Sequence, residues 1–232
     1  MDTAKNARVL VLEDALKRLN EIITSRRVRV HLDYSELTDS VKTAGALLYE
    51  VKYSYVEPLV LADLDATKKL VAAIDEVAHI YDNAIKSSSY KPKTVKEVES
   101  LAELGYSLRI VQGFPRRLRD YGDDAAFAID ILAVQITETH PLESSKNLTE
   151  CRCSDGSRVW HVVTNIKGLK PGMKLPCAVL PPVEMMGAVS EAMFLGEEAL
   201  PESTELGPIL APTSSALDQA RAHVMNIMKR MV

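Results

Sequence analysis

The sequence predicts an α+β multidomain fold, in which a helical bundle precedes a small β-barrel or sandwich and a final helix. Apolar residues recur every three or four positions through the first 120 residues, which is the period of helices. After residue 120 the pattern changes to short apolar runs separated by turn residues, which is typical of strands. The charge changes at the same place. The first 120 residues hold 19 basic and 18 acidic side chains, whereas the remaining residues hold 9 basic and 14 acidic ones, out of 28 and 32 in the whole chain.

Four amphipathic helices are predicted in the first half. Their apolar stripes cover residues 9–23, 37–55, 70–85 and 98–111. Thr94 precedes Glu97 by three positions, as Asp33 precedes Glu36, and this spacing is that of a helix capping box. Proline-containing positions are expected to end helices, namely Pro58, residues 87–92 and residues 113–115. Four helices of this length favour an antiparallel bundle, which we assign to residues 1–122.

Short strands are predicted in the second half. They cover residues 127–136, 148–153, 159–166, 175–180 and 190–195. Asp155-Gly156 separates two of them, and this dipeptide tolerates the positive φ angles of a tight hairpin turn. We assign residues 123–212 to the β-domain. Residues 213–232 form the predicted C-terminal helix, whose apolar side includes Met231.

A long spaced pattern lies within residues 130–196. It consists of Asp130 and the strand after it, His140-Pro141 followed by Lys146, the segment 162–166, and Pro182, Met185, Gly187, Ser190 and Met193. This pattern resembles the tRNA-binding domain of the endothelial monocyte-activating polypeptide II type. That domain is appended to some methionyl-, tyrosyl- and phenylalanyl-tRNA synthetases and also occurs in small free-standing proteins. The resemblance covers about a third of the chain. It implies a five-stranded oligonucleotide-binding (OB) barrel, tRNA as ligand and an aminoacyl-tRNA synthetase as partner.

The chain departs from the family pattern around Met185. Family members carry basic residues beside this methionine, whereas this chain has Glu184 and Met186, and Ala192 replaces a glycine. Each lost cation removes a phosphate contact.

The candidate RNA-binding residues are concentrated in residues 146–174. This segment holds six basic and only two acidic side chains, although the whole chain has a net charge of −4. Its cations are Lys146, Arg152, Arg158, Lys167, Lys170 and Lys174. The alternative interpretation is that they are solvated strand edges. Asn165 adds an amide at a strand end, and the resemblance marks Ser190 and Met193 as RNA-contacting.

Three further features have both a functional and a structural interpretation. Trp160 either stacks a base or fills the core, and its neighbour His161 faces the opposite side of the strand. Two arginine clusters either extend an RNA footprint or form solvated faces; they comprise Arg26, Arg27 and Arg29, and Arg116, Arg117 and Arg119. The possible metal ligands match no short zinc motif; they are Cys151, Cys153, His161 and Cys177.

The leading hypothesis is a non-catalytic tRNA-binding protein that recognises tRNA by shape and backbone. No catalytic motif, cofactor site or metal site is predicted. The chain lacks an apolar run long enough for a membrane span and has only three cysteines, so we expect a cytoplasmic protein that binds no membrane. The resemblance also implies a homodimer. Two alternatives are a protein-interaction adaptor of translation factors that has lost RNA binding, and a chaperone-like OB-fold protein.

Overall fold

The N-terminal helices follow the apolar stripes of the sequence. The computed structural model describes residues 1–229. Its N-terminal helices are α1 (Ala7–Thr24), α2 (Tyr34–Lys52), α3 (Pro58–Asp63), α4 (Asp65–Ser88), α5 (Val95–Gln112) and α6 (Phe114–Asp120), followed by a 3₁₀ turn at Ala125–Ala128. Helix α2 packs on α4, and α1 packs on α2 and α5. Fully buried side chains such as Leu12, Leu19 and Ile74 fill the space between them. The four predicted helices are therefore present.

Two short helices, α3 and α6, begin where the sequence predicts helix ends. Pro58 is the first residue of α3, and Pro115 lies in the first turn of α6. Proline suits the first turn because the backbone N–H it lacks has no intrahelical partner there. The predicted capping box of Thr94 and Glu97 is present at the start of α5.

The second half forms a sheet of six strands within the described residues. The strands are β1 (Ile131–Pro141), β2 (Thr149–Ser154), β3 (Val159–Thr164), β4 (Lys174–Met185), β5 (Ala188–Phe194) and the two-residue β6 (Gly207–Pro208). They are antiparallel in the order β3-β2-β1-β4-β5, and β6 pairs with β1. The long β1 is shared, because its first half pairs with β4 and its second half with β2. The predicted hairpin joins β2 to β3, with Gly156 at φ +89°.

The two edge strands, β3 and β5, approach each other and bring the sheet round into a barrel. The backbone N–H of Val163 on β3 donates to the hydroxyl oxygen of Ser190 on β5, at 3.0 Å. The N–H of His161 donates to the Glu191 carboxylate at 3.2 Å. Side chains of β5 thus satisfy alternate amides of β3. A five-stranded, partly open Greek-key barrel of this kind is the OB architecture, so the expected α+β fold class is confirmed.

The chain divides into two compact units. One comprises Met1–Ala128 with residues 224–229, and the other comprises Ile129–His223. The segment 123–128 belongs to the first unit, where the Arg8 guanidinium forms an ion pair with Asp123. The C-terminal helix is α7 (Ser214–Met228), and Met231 lies outside the described residues. Within residues 1–229, no helix combines the length and apolar composition required to cross a bilayer.

Candidate nucleic-acid interface

The outer face of β1, β2 and β3 carries charged side chains that pair with one another. An Arg152 guanidinium nitrogen lies 3.2 Å from the Glu138 carboxylate on the neighbouring strand. His140 contacts the same carboxylate at 3.2 Å, and His161 contacts Glu150 at 3.1 Å. This is the face on which OB-folds bind oligonucleotides. Here carboxylates lie beside the cations, and the Arg152 guanidinium already has an anionic partner.

Arg158 is held in a structural role beside Trp160. Its guanidinium lies 2.6 Å from the Glu191 carboxylate and 3.8 Å from the centroid of the Trp160 ring. Trp160 is only 2% exposed, and its indole N–H donates to Asp155 at 2.8 Å. The indole is therefore a core residue, and it offers no free face for base stacking. The expectation that Trp160 and His161 face opposite sides is confirmed, since His161 is half-buried on the outer side.

Ser190 and Met193 differ in their availability to a ligand. Ser190 is 6% exposed; its hydroxyl accepts from Val163 and donates to the Ala192 carbonyl at 2.9 Å. The hydroxyl thus joins β3 to β5 as an acceptor and is bonded within β5 as a donor, and we leave Ser190 out of the interface. Met193 is half-buried on β5 and pairs in register with Ala178 of β4. Within this motif, Ser190 therefore has a structural role at the contact between β3 and β5.

Lys146 and Lys167 line one pocket at an end of the barrel. The pocket has a volume of about 430 Å³ and lies between the β1–β2 loop and the β3–β4 connection. Ser145, Asn147 and Thr149 add hydroxyl and amide groups to its wall. Both lysines are exposed, and no carboxylate in the described part of the chain forms an ion pair with either ammonium group. Two cations beside neutral donors make a site suited to phosphate oxygens.

The remaining predicted residues divide into two groups. Asn165 and Lys170 are exposed in the β3–β4 connection, the segment that also carries Lys167. Lys174 is different, because its ammonium group donates to the backbone carbonyls of Glu202 and Thr204, both at 2.6 Å. Lys174 therefore fastens a loop to the start of β4. The six predicted cations therefore differ in their partners, since Arg152, Arg158 and Lys174 are bonded to other groups of the barrel unit, whereas Lys146 and Lys167 line the pocket.

The β4–β5 hairpin meets the β1–β2 loop beside this pocket. The Ser144 hydroxyl donates to the Met186 carbonyl oxygen at 2.8 Å. Met186 and Gly187 occupy the turn with φ of +54° and +91°, which are the angles of a two-residue type I′ turn. The Glu184 carboxylate accepts the N–H of Gly187 at 2.7 Å. The two loops that flank the binding face of an OB-fold are thus joined by a hydrogen bond.

The cysteines and arginine clusters have structural surroundings. Cys151, Cys153 and Cys177 are buried and unbridged, and burial raises the pKa of each thiol. In the helical unit, Arg27 forms an ion pair with Glu103 and Arg119 with Asp63. Arg117 is buried with a guanidinium N–H bonded to the Ile110 carbonyl, while Arg26 and Arg116 lie over tyrosine rings. Arg29 lies 4.0 Å from Glu97. These pairings favour the structural interpretation of both clusters.

Several groups around the pocket were not predicted from the sequence. Ser144, Ser145 and Asn147 belong to a polar run before β2, and Met186 lies in the hairpin turn. In the sequence, these three polar residues are marked only by their position in the loop after the first predicted strand. Their proximity to residues 166–169 depends on the barrel topology.

Comparison with known proteins adds information on the helical half. A family model described as an alpha helical domain matches residues 1–122, which is more than half of the chain. No curated protein matches the chain. The family match ends before the first residue of the barrel unit, Ile129.

Proposed function

We propose that this chain, which belongs to the alpha helical domain family, is a non-catalytic tRNA-binding protein. The observation that carries the proposal is the pocket containing Lys146 and Lys167. We infer that this pocket holds backbone phosphates of tRNA and that Lys170 and Asn165 extend the contact along the same connection. An aminoacyl-tRNA synthetase is the proposed protein partner, in the cytoplasm, and a homodimer is the proposed assembly.

The distribution of charge supports the pocket over the strand face as the point of contact. A phosphate responds to the local potential, which is highest where cations lack carboxylate neighbours. On the strand face Glu138 and Glu191 neutralise Arg152 and Arg158, whereas the described structure places no carboxylate against Lys146 or Lys167. Two or three phosphate contacts give a modest affinity that decreases steeply as salt rises. The logarithm of the binding constant decreases with the logarithm of the salt concentration, with a slope of about −0.7 to −0.9 per contact.

A filter-binding titration with tRNA across a salt series tests the proposal. The variant K146Q/K167Q removes both pocket ammonium groups and keeps the polar character of the side chains. We expect this variant to bind tRNA more weakly. We also expect the salt dependence of its binding constant to correspond to about two fewer phosphate contacts. The matched control is K91Q/K96Q, which removes two exposed lysines of the helical unit and changes net charge equally.

Three outcomes would contradict the proposal. One is the absence of tRNA binding at about 50 mM salt, where electrostatic contacts are strong. Another is equal affinity for tRNA and duplex DNA. The third is an unchanged titration with K146Q/K167Q, or an equal loss with the control variant.

A second candidate function, a protein-interaction adaptor, is favoured by an apolar patch on the helical unit. Five of the eleven large apolar side chains that are exposed within residues 1–229 fall in residues 49–60. They are Tyr49, Tyr53, Tyr55, Leu59 and Val60, each between 51% and 67% exposed. The rings of Tyr49 and Tyr53 stack with their centroids 6.4 Å apart.

Exposed tyrosines are typical of protein interfaces, because they offer a large rigid contact area and a polar tip. A pull-down from nuclease-treated extract tests this candidate, with recovered synthetases as the readout. Y49S/Y53S is expected to lose them, whereas V98S, which changes an exposed apolar residue of α5, retains them. Recovery that depends wholly on RNA, or that survives Y49S/Y53S, contradicts the adaptor function.

A further inference from the structure

We infer that the Met186 side chain holds an unpaired base of the RNA whose phosphates occupy the neighbouring lysine pocket. This inference rests on the proposed tRNA binding and specifies its substrate class: RNA with unpaired nucleotides, in preference to continuous duplex. The site would thus combine one apolar contact at the β4–β5 turn with phosphate contacts from Lys146 and Lys167.

The two halves of this site adjoin each other. Ser144 bonds to the Met186 carbonyl at 2.8 Å, and the next residue, Ser145, lines the pocket together with Lys146. Consecutive residues of the β1–β2 loop thus contact the turn and line the pocket. Each base is attached through its sugar to a backbone phosphate, so we infer that one short segment of RNA contacts both features.

Met186 is placed unusually for an apolar residue. It is 62% exposed, and its φ of +54° lies in the left-handed region that disfavours side chains other than Gly, Asn and Asp. Such a conformation is strained for a residue with a side chain, and such strain is concentrated at functional sites. Asn at this position would form the preferred Asn-Gly turn. Methionine is common at adaptable binding surfaces, because its flexible thioether fits ligands of varied shape.

The surroundings of Met186 favour a base over a phosphate at this point. The neighbouring Glu184 carboxylate is exposed and bonded to the Gly187 N–H, which places a negative charge next to the turn. A phosphate there would be repelled, whereas the neutral face of a base would not. Val183, 49% exposed on the same hairpin, enlarges the apolar surface. Duplex RNA buries its base faces by stacking and presents none to such a surface.

The test compares three RNAs: total tRNA, a stem-loop, and a blunt duplex with the sequence of the stem. The variant is M186N, which removes the apolar side chain and supplies the residue that the type I′ turn prefers, so the hairpin is preserved. The matched control is L210N, which makes the same change at another exposed apolar residue of the barrel unit. Circular dichroism and a urea titration establish that both variants fold.

The wild-type protein is expected to bind the stem-loop roughly three- to tenfold more tightly than the duplex. M186N is expected to lower the affinity for the stem-loop and for tRNA toward the affinity for the duplex, while duplex binding stays unchanged. L210N is expected to bind all three RNAs as the wild type does. Equal binding of stem-loop and duplex by the wild type, or a preference that survives M186N, overturns this inference and leaves tRNA binding intact. Failure to bind any of the three RNAs overturns the proposed function as well.

Discussion

The hydroxyl of Ser190 on β5 receives the backbone N–H of Val163 on β3 at 3.0 Å and donates to the Ala192 carbonyl at 2.9 Å. One small side chain thus takes the place of a backbone partner where the barrel closes. Both bonds are buried, so neither has water as an alternative.

Ser190→Ala is expected to lower the free energy of unfolding of the barrel by about 1–3 kcal/mol, because it leaves the buried Val163 N–H unsatisfied. Urea denaturation followed by the fluorescence of Trp160, the single tryptophan, measures the change. Ser144→Ala provides the control, because it removes an exposed hydroxyl bond and is expected to have a smaller effect. Equal effects of the two substitutions would contradict the closing role of Ser190.

Asp155 is expected to make the stability of the β2–β3 hairpin sensitive to acid. Burial alone would raise the pKa of this carboxyl, but hydrogen bonds from Arg158, Trp160 and Ser157 outweigh it and hold the pKa below 3.8. A lowered folded-state pKa stabilises the protein above pH 3.8, and this contribution is lost as pH falls through the folded value.

Asp155→Asn is expected to cost about 2–3 kcal/mol at neutral pH, because a neutral amide accepts these bonds more weakly. The variant is also expected to show a flatter decrease in stability on acidification. Urea titrations at several acidic pH values, read by Trp160 fluorescence, measure both effects. A variant with the wild-type acid dependence would show that Asp155 is not the responsible group.

The buried thiols are expected to destabilise the barrel at high pH. Burial raises the pKa of Cys151 to about 11 and that of Cys153 to about 12, from an ordinary value of 9.0. In the folded state the thiols hold their protons more tightly than in the unfolded chain. The contribution of these thiols to stability is therefore constant below pH 9 and decreases above it, by up to about 1.4 kcal/mol per pH unit for each thiol.

Cys153→Ala is expected to make this alkaline decrease shallower, as measured by the difference between variant and wild-type urea titrations from pH 8 to about 11. A thiol reagent at pH 8 supplies a second readout. All three cysteines are expected to react slowly in the native protein and rapidly in denaturant, since only the exposed thiolate is nucleophilic. Fast native reaction would contradict their burial.

Glu184→Gln is expected to strengthen tRNA binding about twofold, because it removes a negative charge beside the proposed site while its amide oxygen still accepts the Gly187 N–H. Filter binding at low salt measures the change, and Glu198→Gln, at another exposed glutamate of the barrel unit, is the charge-matched control. Unchanged affinity for Glu184→Gln would place the β4–β5 turn away from the RNA.

Much of this fold is encoded in local patterns. The apolar stripe over residues 9–23 predicts α1, and Asp155-Gly156 predicts the β2–β3 hairpin, because both depend on neighbours along the chain. The second half of β1 is harder to predict from the sequence. Its residues 137–140 are polar and exposed or half-buried, so no apolar alternation marks their pairing with β2.

The interface was harder to predict because its charges are paired through tertiary structure. Counting charges in residues 146–174 shows an excess of cations, but Glu138 and Glu191, which neutralise Arg152 and Arg158, lie outside that segment. The same count cannot separate Lys174, whose ammonium group binds two backbone carbonyls, from Lys146 and Lys167. Only the barrel topology distinguishes these groups.

The shared strand β1 has a consequence for synthesis on the ribosome. The β2–β3 and β4–β5 hairpins close locally, which takes about 1–10 μs. By contrast, Ile131 of β1 pairs with Ala178 of β4, 47 positions later. Until β4 has emerged, the apolar half of β1 at residues 131–134 has no partner strand. The nascent chain therefore exposes an aggregation-prone edge during this interval, and this is the stage at which a chaperone is expected to bind it.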